Sequence, residues 1–560
     1  MKAKKLLTIL LAMAMLVSLF AGCGNTASDN GSSVEDRVST LDEGSDVAGA
    51  TVEKDLGESE QEALISSHTD GQGRTYVTAV VEGDPGTLSP YGSGMGKVMH
   101  VIRNALFETA FCVLNDGTLA PVLATDYVAL GDATYDIHFK DYIYDTEGNH
   151  LTASDVVFSY LTGRDVFSNG NMSKIADAEA VDEYTVRVTM EADYVGAFEK
   201  VLYEGWIFTQ AAYEASPDQF ITTPVGTSPY RLVSWESGSD IVIEKTNSYW
   251  ETDESKLQLI QKANVDVVIY RIIPDEAQRI LAMQAGEVDM IPKVNFSNLS
   301  SFPAEVYSIF STLNNQVGTL FFNCSDDSPM GDVRVREAFC LAVDIGSLIN
   351  AVFDGQANAC TYYGTSGSGD VDPSWAPDEY YPYDPDRAIE LLAEAGYNES
   401  NPLSIEFVYE PNDKNADVCE FIQLCLSAVG VKCELVPVES ATFKTYVYDT
   451  TKYDVQITNM AGVEPYAAPN WYNIMLSSSG TQVGIQDPEF CELLELCYAA
   501  ETHTAENMHK AYDYMTEQVY VYPLYIYQLY TVTSNIYTTM NLRCGGREIA
   551  PQYCEYIWND

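Results

Sequence analysis

The chain has 560 residues, 46% of them hydrophobic, with 82 acidic side chains against 30 basic ones and a formal net charge of −52. That length exceeds what one core fills, so two or more domains are expected, and the apolar fraction is that of a folding protein. The charge excludes a nucleic-acid footprint and docking on anionic lipid through a basic face. It describes a self-repelling surface whose field reaches about 8–10 Å in salt.

The N-terminus stands apart from the fold. Lys2, Lys4 and Lys5 precede an apolar run over 6–20 that is too short to span a bilayer comfortably. Ala21-Gly22-Cys23 then resembles a bacterial lipobox, with Phe20 where that pattern usually has an aliphatic residue. The resemblance implies cleavage after residue 22 and acylation of Cys23; the other reading is an ordinary signal peptide followed by a chance cysteine. Two or more acyl chains would hold so acidic a chain at a membrane, where one is marginal. Residues 23–73, rich in Ser, Gly, Asp and Glu, read as a disordered acidic tether.

The folded sequence starts at Arg74. Residues 76–81 read as a strand, 95–107 as a helix and 135–139 as a half-buried strand. Thr152 or Ser154 can cap a helix with Asp155 in its first turn. Strands are expected over 185–189, 230–235, 240–245 and 265–273, then a helix over 274–285. Residues 319–323 form a short apolar run, and Asp332 and Asp344 read as caps of two helices, the second stopped by Gly355. A helix over 385–395 ends at Gly396, and strands alternate with a helix through 400–460, which argues for parallel βαβ units. Helices over 487–500 and 505–521 follow.

Local catalytic chemistry is absent from these patterns. Gly92 to Lys97 lacks the Walker spacing, and 364–368 lacks the last glycine of a nucleophile elbow. The six histidines show no HExxH pattern. Eleven cysteines follow Cys23, an odd number, so at least one is unpaired or intermolecular. Cys419/Cys425 and Cys491/Cys497 are six apart, about 240° around a helix, so neither pair shares a metal. Most read as core residues; a Cys544–Cys554 bridge is compatible with export.

Five blocks carry a family likeness. They are Asp84-Pro85, Leu88, Pro90 and Phe107-Glu108, then Gly117, Pro121 and Leu123-Ala124; Leu151-Thr-Ala-Ser-Asp-Val-Val-Phe158; Gly226-Thr-Ser-Pro-Tyr230 with Asn247, Tyr249 and Trp250; Asn323, Asp332-Val-Arg-Val-Arg-Glu-Ala338 and Ala342-Val-Asp344; and Asp384, Ala388, Leu391, Leu392 and Ala395-Gly-Tyr397. In this order they resemble the extracellular solute-binding proteins of the peptide/nickel transporter family, family 5, over about 75–545. The resemblance implies an α/β, two-lobed, type II periplasmic-binding-protein-like fold with a hinge. Lobe one is expected over 74–317 with an inserted subdomain at about 105–225, lobe two over 318–525, and a return to lobe one over 526–560. It also implies a monomeric, lipid-anchored receptor on the outer face of the cell membrane. Such a receptor passes short peptides to the permease subunits of an ABC importer, with no cofactor, metal, nucleic acid or catalysis. A non-peptide solute (a nickel chelate, an oligosaccharide) on the same fold is the alternative, and an exported hydrolase a further one.

Peptide-binding members carry an aspartate, in a loop after a lobe-two strand, that pairs with the ligand's ammonium. The corresponding loop here, 458–471, has Val463 and Pro465 at that place with Glu464 between them. Either Glu464 takes the role, or it is a solvated acid and the ligand is not a free-amine peptide. Met460, Ala461, Gly462, Tyr466, Trp471 and Tyr472 of the same stretch, and Trp375 of a second loop, are the other candidate ligand contacts, with packing as the alternative for each aromatic. The match gives Arg334 and Arg336 a scaffold role.

Overall fold

This computed structural model describes residues 37–40, 49–51, 56–92, 99–114, 118–313, 316–360, 363, 368–375, 381–411, 414–460, 466–476, 483–485, 487–541 and 549–559. Residues 39–560 form one compact unit.

The stretch expected to be a tether is structured in part. Helix α1, Glu58–Ser67, precedes the first core strand, and the strand Gly49–Thr51 pairs antiparallel with Tyr537–Asn541. Three apolar side chains, Leu56, Leu64 and Ile65, pack on the lobe-one core, and Gln61 Nε2 donates to Ile557 O at 3.2 Å. So few anchors in a polar run leave no periodic signal, which is why the disordered reading fails for these segments.

His68 ends this helix and fixes it. Its Nε2 lies 2.9 Å from Asp289 Oδ1 and its Nδ1 2.8 Å from Leu64 O. Both partners accept, so both ring nitrogens donate, as only an imidazolium can. Burial opposes the charge, but the Asp289 hydrogen bond and charge, with the Leu64 carbonyl, leave the His68 pKa raised above its ordinary 6.5. A raised histidine pKa stabilises the folded arrangement fully below the ordinary value and loses that contribution as pH climbs through the folded value. Amide-exchange protection of Glu58–Ser67, corrected for intrinsic rates, should therefore fall as pH rises from 6.5 upward. Protection independent of pH would show that His68 does not hold the helix.

Strand β1, Tyr76–Val81, is buried along its length after the first residue. Strands β2, Ala124–Gly131, β3, Thr134–Phe139, β4, Ile175–Ala180, and β5, Thr185–Met190, make a separate antiparallel sheet in the order β2-β3-β5-β4. Helix α2, Ala153–Leu161, packs on it. Thr152 caps that helix, with its N–H and Oγ1 both donating to Asp155 Oδ2, at 2.8 and 2.7 Å.

The chain returns through β6, Tyr230–Trp235, β7, Asp240–Lys245, and β8, Val267–Ile272. Helix α3, Glu276–Gln284, then leads to β9, Met290–Ile291, and β10, Tyr307–Leu313. In lobe one the sheet order is β6-β7-β8-β1-β9, with β1 parallel to both β8 and β9.

Next come β11, Val317–Phe322, and helices α4, Val333–Ala342, and α5, Ile345–Phe353. Asp332 Oδ1 accepts from Arg334 N at 3.0 Å and Asp344 Oδ1 from Ser347 N at 2.9 Å, so both caps form as expected. Helix α6, Pro385–Glu394, follows. Next come β12, Ser404–Tyr409, α7, Asn415–Ala428, β13, Lys432–Pro437, and β14, Val455–Met460. Strand β12 pairs parallel with both β13 and β14, as the βαβ pattern predicts. Helices α8, Ala468–Met475, α9, Pro488–Tyr498, and α10, Ala505–Gln518, cover a second core.

One strand belongs to both lobes. Strand β15, Val521–Ser534, is fourteen residues long. Its first part pairs with β11, from Phe321↔Val521 to Gly318↔Tyr525, and its second with β10, from Leu313↔Gln528 to Tyr307↔Ser534. The sheet thus continues from lobe one into lobe two as β9-β15-β11-β14-β12-β13. Gly318 sits at the changeover because a Cβ there would come 2.5 Å from the Tyr525 ring. The helix expected to run to residue 521 stops at Gln518, where Val519 takes φ +51°, and the run of alternating residues beyond it is this strand.

Among the described residues no helix is long and apolar enough to cross a membrane, and no cluster of metal-ligating side chains occurs. No disulfide joins two of the ten described cysteines. Cys23 and Cys544 lie outside the described residues; Cys554 is buried, and its thiol donates to Ala550 O at 3.5 Å.

Candidate functional site

A small pocket opens against the lobe-one half of the crossing strand. Val80 and Val81 bring it to the end of β1, where Glu82 emerges; Leu529 and Thr531 come from β15, Thr312 from β10 and Met290 from β9. Pro292, Lys293, Tyr270, Ile549 and Pro551 complete much of the wall. Ligands of α/β folds gather outside the carboxyl ends of parallel strands, and Glu82 is the first residue past such an end. The wall is mostly apolar, with one ion pair in it. Glu82 Oε2 accepts from Lys293 Nζ at 2.5 Å, and Glu82 Oε1 lies 3.8 Å from Arg279 Nη1. Lys293 has φ +52°, a left-handed backbone rarely taken by a side-chain-bearing residue.

A second contact joins the segment that follows β5 to helices α8 and α9. Tyr194 stacks on Tyr498 at 4.2 Å and 4°, and Tyr472 stacks on the same ring at 4.5 Å. Backbone bonds run beside the rings: Val195 N donates to Tyr498 O and Ala500 N to Asp193 O, both at 2.9 Å. Gly196 takes φ +72°, and a Cβ there would stand 3.2 Å from Tyr466. Tyr466 also meets His503 edge-on at 5.7 Å. Behind it, Asp370 accepts from Ala467 N at 2.6 Å and Ala468 N at 3.1 Å at the start of α8. Burial pushes the Asp370 carboxyl up, and those two donors oppose the shift.

The predicted residues divide between these places and the core. Tyr466 and Tyr472 are half-buried at the contact with the segment that follows β5. Trp471 is fully buried, and its Nε1 donates to Tyr363 O at 2.9 Å; it packs inside lobe two, the alternative open to it at the outset. Trp375 stacks on His509 at 4.5 Å and meets Tyr512 edge-on. None of these four lines the pocket of Glu82 and Lys293. Met460 ends β14, paired with Val317, while Ala461, Gly462 and Glu464 lie outside the described residues. Arg334 and Arg336 serve lobe two alone. Arg334 pairs with its own cap, Asp332, and donates to Glu394 O at 2.9 Å; Arg336 donates only to backbone carbonyls.

The family model described as bacterial extracellular solute-binding proteins, family 5 middle region, matches residues 118–483, more than half of the chain. The chain belongs to this family. As a family 5 solute-binding protein it is a substrate-binding component of an ABC transporter and not an enzyme. The glutathione-binding protein GsiB of Escherichia coli K12 is 26% identical over 369 residues, covering 63% of this chain and 68% of GsiB. The crystal structure of NikA from Brucella suis with Fe(III)-EDTA superposes with a TM-score of 0.74 at 20% identity, covering 85% of this chain and 99% of that one. The dipeptide-binding protein of Pseudoalteromonas sp. SM9913 with Met-Leu gives 0.71 at 19% identity, covering 86% and 100%. Both establish the two-lobed fold of this family 5 protein.

Proposed function

We propose that this binding protein is a lipid-anchored receptor that captures short peptides between its lobes and delivers them to the permease of an ABC importer. The carrying observation is membership of the solute-binding family together with a mostly apolar pocket, lined by lobe-one residues, beside the strand shared by both lobes. A ligand there lies beside the strand that runs through both lobes, and further contacts with lobe two would bias closure. GsiB is named for glutathione, itself a tripeptide, which supports a short peptide as cargo. The lipobox-like Ala21-Gly22-Cys23 supports anchoring on the outer face of the membrane, with palmitate labelling of whole cells expected to disappear in Cys23→Ser. Glu464, four residues past the end of β14 in the sequence, is the partner for the peptide ammonium.

Calorimetry with short free-amine peptides tests the assignment. Glu464→Gln should weaken binding tenfold or more, equivalent to about 1.4 kcal/mol. Unchanged affinity would sink the role of Glu464; no peptide binding to the unaltered protein would sink the peptide reading.

A further inference from the structure

We propose that the stacked tyrosines Tyr194 and Tyr498 are a clasp between the two lobes, one that holds the protein closed before any solute arrives. The inference goes beyond the peptide reading and does not use it. The two sides of the contact belong to different cores. Tyr194 packs on the cluster that holds Ile137, Val186 and Phe198. Tyr498 ends α9, whose Phe490, Leu494 and Cys497 belong to the cluster of Trp471 and Met475. Neither 193–196 nor 498–500 lies in a strand of the sheet that continues from one lobe into the other. The contact is thus a link between the two cores outside that sheet. Opening of the cleft parts them there, so the link has to break.

Each side is fixed by its own neighbours. Asp193 Oδ1 accepts from Tyr135 Oη of β3 at 3.1 Å, and Ala197 N donates to Tyr194 O at 3.1 Å. Gly196, at φ +72°, is the N-cap of helix Ala197–Glu204. Opposite, Thr502 N donates to Ala499 O at 3.1 Å and Thr502 Oγ1 to Leu496 O at 2.8 Å, which sets the turn after α9. The two turns meet as a single antiparallel pair, Tyr194 against Ala499. Val195 N to Tyr498 O and Ala500 N to Asp193 O flank that pair, at 2.9 Å each. Two rigid edges that match without rearrangement lose little freedom on meeting.

The rings add to the amides. Tyr498 is 3% exposed and takes Tyr194 at 4.2 Å and Tyr472 at 4.5 Å between ring centroids. Opening the contact wets these faces and forfeits the stacking itself. Gly196 lets the backbone come up to the other side, since a Cβ there would stand 3.2 Å from Tyr466 and 3.6 Å from Pro469. A net charge of −52 drives the parts of this chain away from one another. Neutral rings and amides hold against that repulsion, and salt does not screen them. A solute then adds its own contacts to a closed form that is already populated.

Small-angle X-ray scattering of the intact protein tests the clasp, with solute removed and its absence confirmed by native mass spectrometry. Tyr194→Ser should raise the radius of gyration, the ratio of closed to open molecules falling about three- to tenfold, the worth of one stacked pair. Tyr194→Phe keeps the ring and should scatter like the unaltered protein. Should Tyr194→Ser fail to fold, Gly196→Ala takes its place, because its methyl group crowds Tyr466 and leaves the stacked rings unaltered. A Tyr194→Ser or Gly196→Ala profile that matches the unaltered protein overturns the proposal, whether both are compact or both open. So does a Tyr194→Phe protein that opens as far as Tyr194→Ser. None of these outcomes depends on which solute the protein carries.

Discussion

Replacing Arg336 with Met is expected to unfold lobe two under mild conditions, although Arg336 touches no acid among the described residues. The side chain is 3% exposed and runs through the middle of the lobe. Its Nε and Nη2 donate to Gln518 O at 3.0 and 2.6 Å, and its Nη1 donates to Met330 O and to Gly331 O, the latter at 3.1 Å. Gln518 is the last residue of α10, so those carbonyls include one that a helix end leaves without an internal partner. The guanidinium also lies 5.6 Å from the Tyr520 ring centroid. Met fills much of the volume but removes the donors of three carbonyls, that of Met330 buried and those of Gln518 and Gly331 part-buried, at about 1–3 kcal/mol for the buried one and less for the others. A loss of about 3–5 kcal/mol follows, allowing for relaxation. Lysine would not rescue it, because one ammonium cannot reproduce the planar fork. Urea unfolding followed by tryptophan fluorescence reads the change; a shift under about 1 kcal/mol would show that the carbonyls find other donors.

Glu108→Ala should damage lobe one to a similar degree. Glu108 is 3% exposed, and its carboxylate accepts from Tyr249 Oη at 2.7 Å, Gln261 Nε2 at 2.9 Å and Trp250 Nε1 at 3.1 Å. Burial pushes its pKa up, while these donors pull it down. Alanine removes the acceptor from three donors at once and opens a cavity beneath Trp250. Trp250 retains Thr227 O at 3.1 Å, and Gln261 retains Tyr249 Oη at 2.7 Å, which limits the damage. The expected cost is about 3–5 kcal/mol. Since Phe107 and Glu108, Tyr249 and Trp250 come from two separate blocks of the family likeness, a small effect would mean that those blocks do not meet through this carboxylate.

The elements were legible where apolar spacing is regular. Strands Tyr230–Trp235 and Asp240–Lys245 fall where alternation puts them, and the caps at Asp332 and Asp344 form as their side chains dictate. The second contact was legible in part, because Tyr466 and Tyr472 belong to a stretch whose family resemblance points to ligand. Trp471 shows the limit. Ala468, Trp471 and Met475 are all buried along α8, a helical stripe that marks a core face, and that spacing outweighs the loop's resemblance. Glu82 and Lys293 carry no local signal at all. One acid among 82 and one base among 30 become a site only when β1 and the turn after β9 are brought together across more than two hundred residues. Helix Glu58–Ser67 escaped for the opposite reason, since its hold on the protein comes from His68 and three scattered apolar side chains rather than from a stripe.

The lobes are expected to close on a small solute held against β15. Native mass spectrometry of the intact protein, purified without denaturation from cells grown in peptide-rich medium, tests it most directly. The predicted result is a folded species heavier than its polypeptide by one small solute, released on denaturation and identified from its fragments as a short peptide. A folded protein at its bare polypeptide mass, which also takes up no member of an added pool of short peptides, would contradict it.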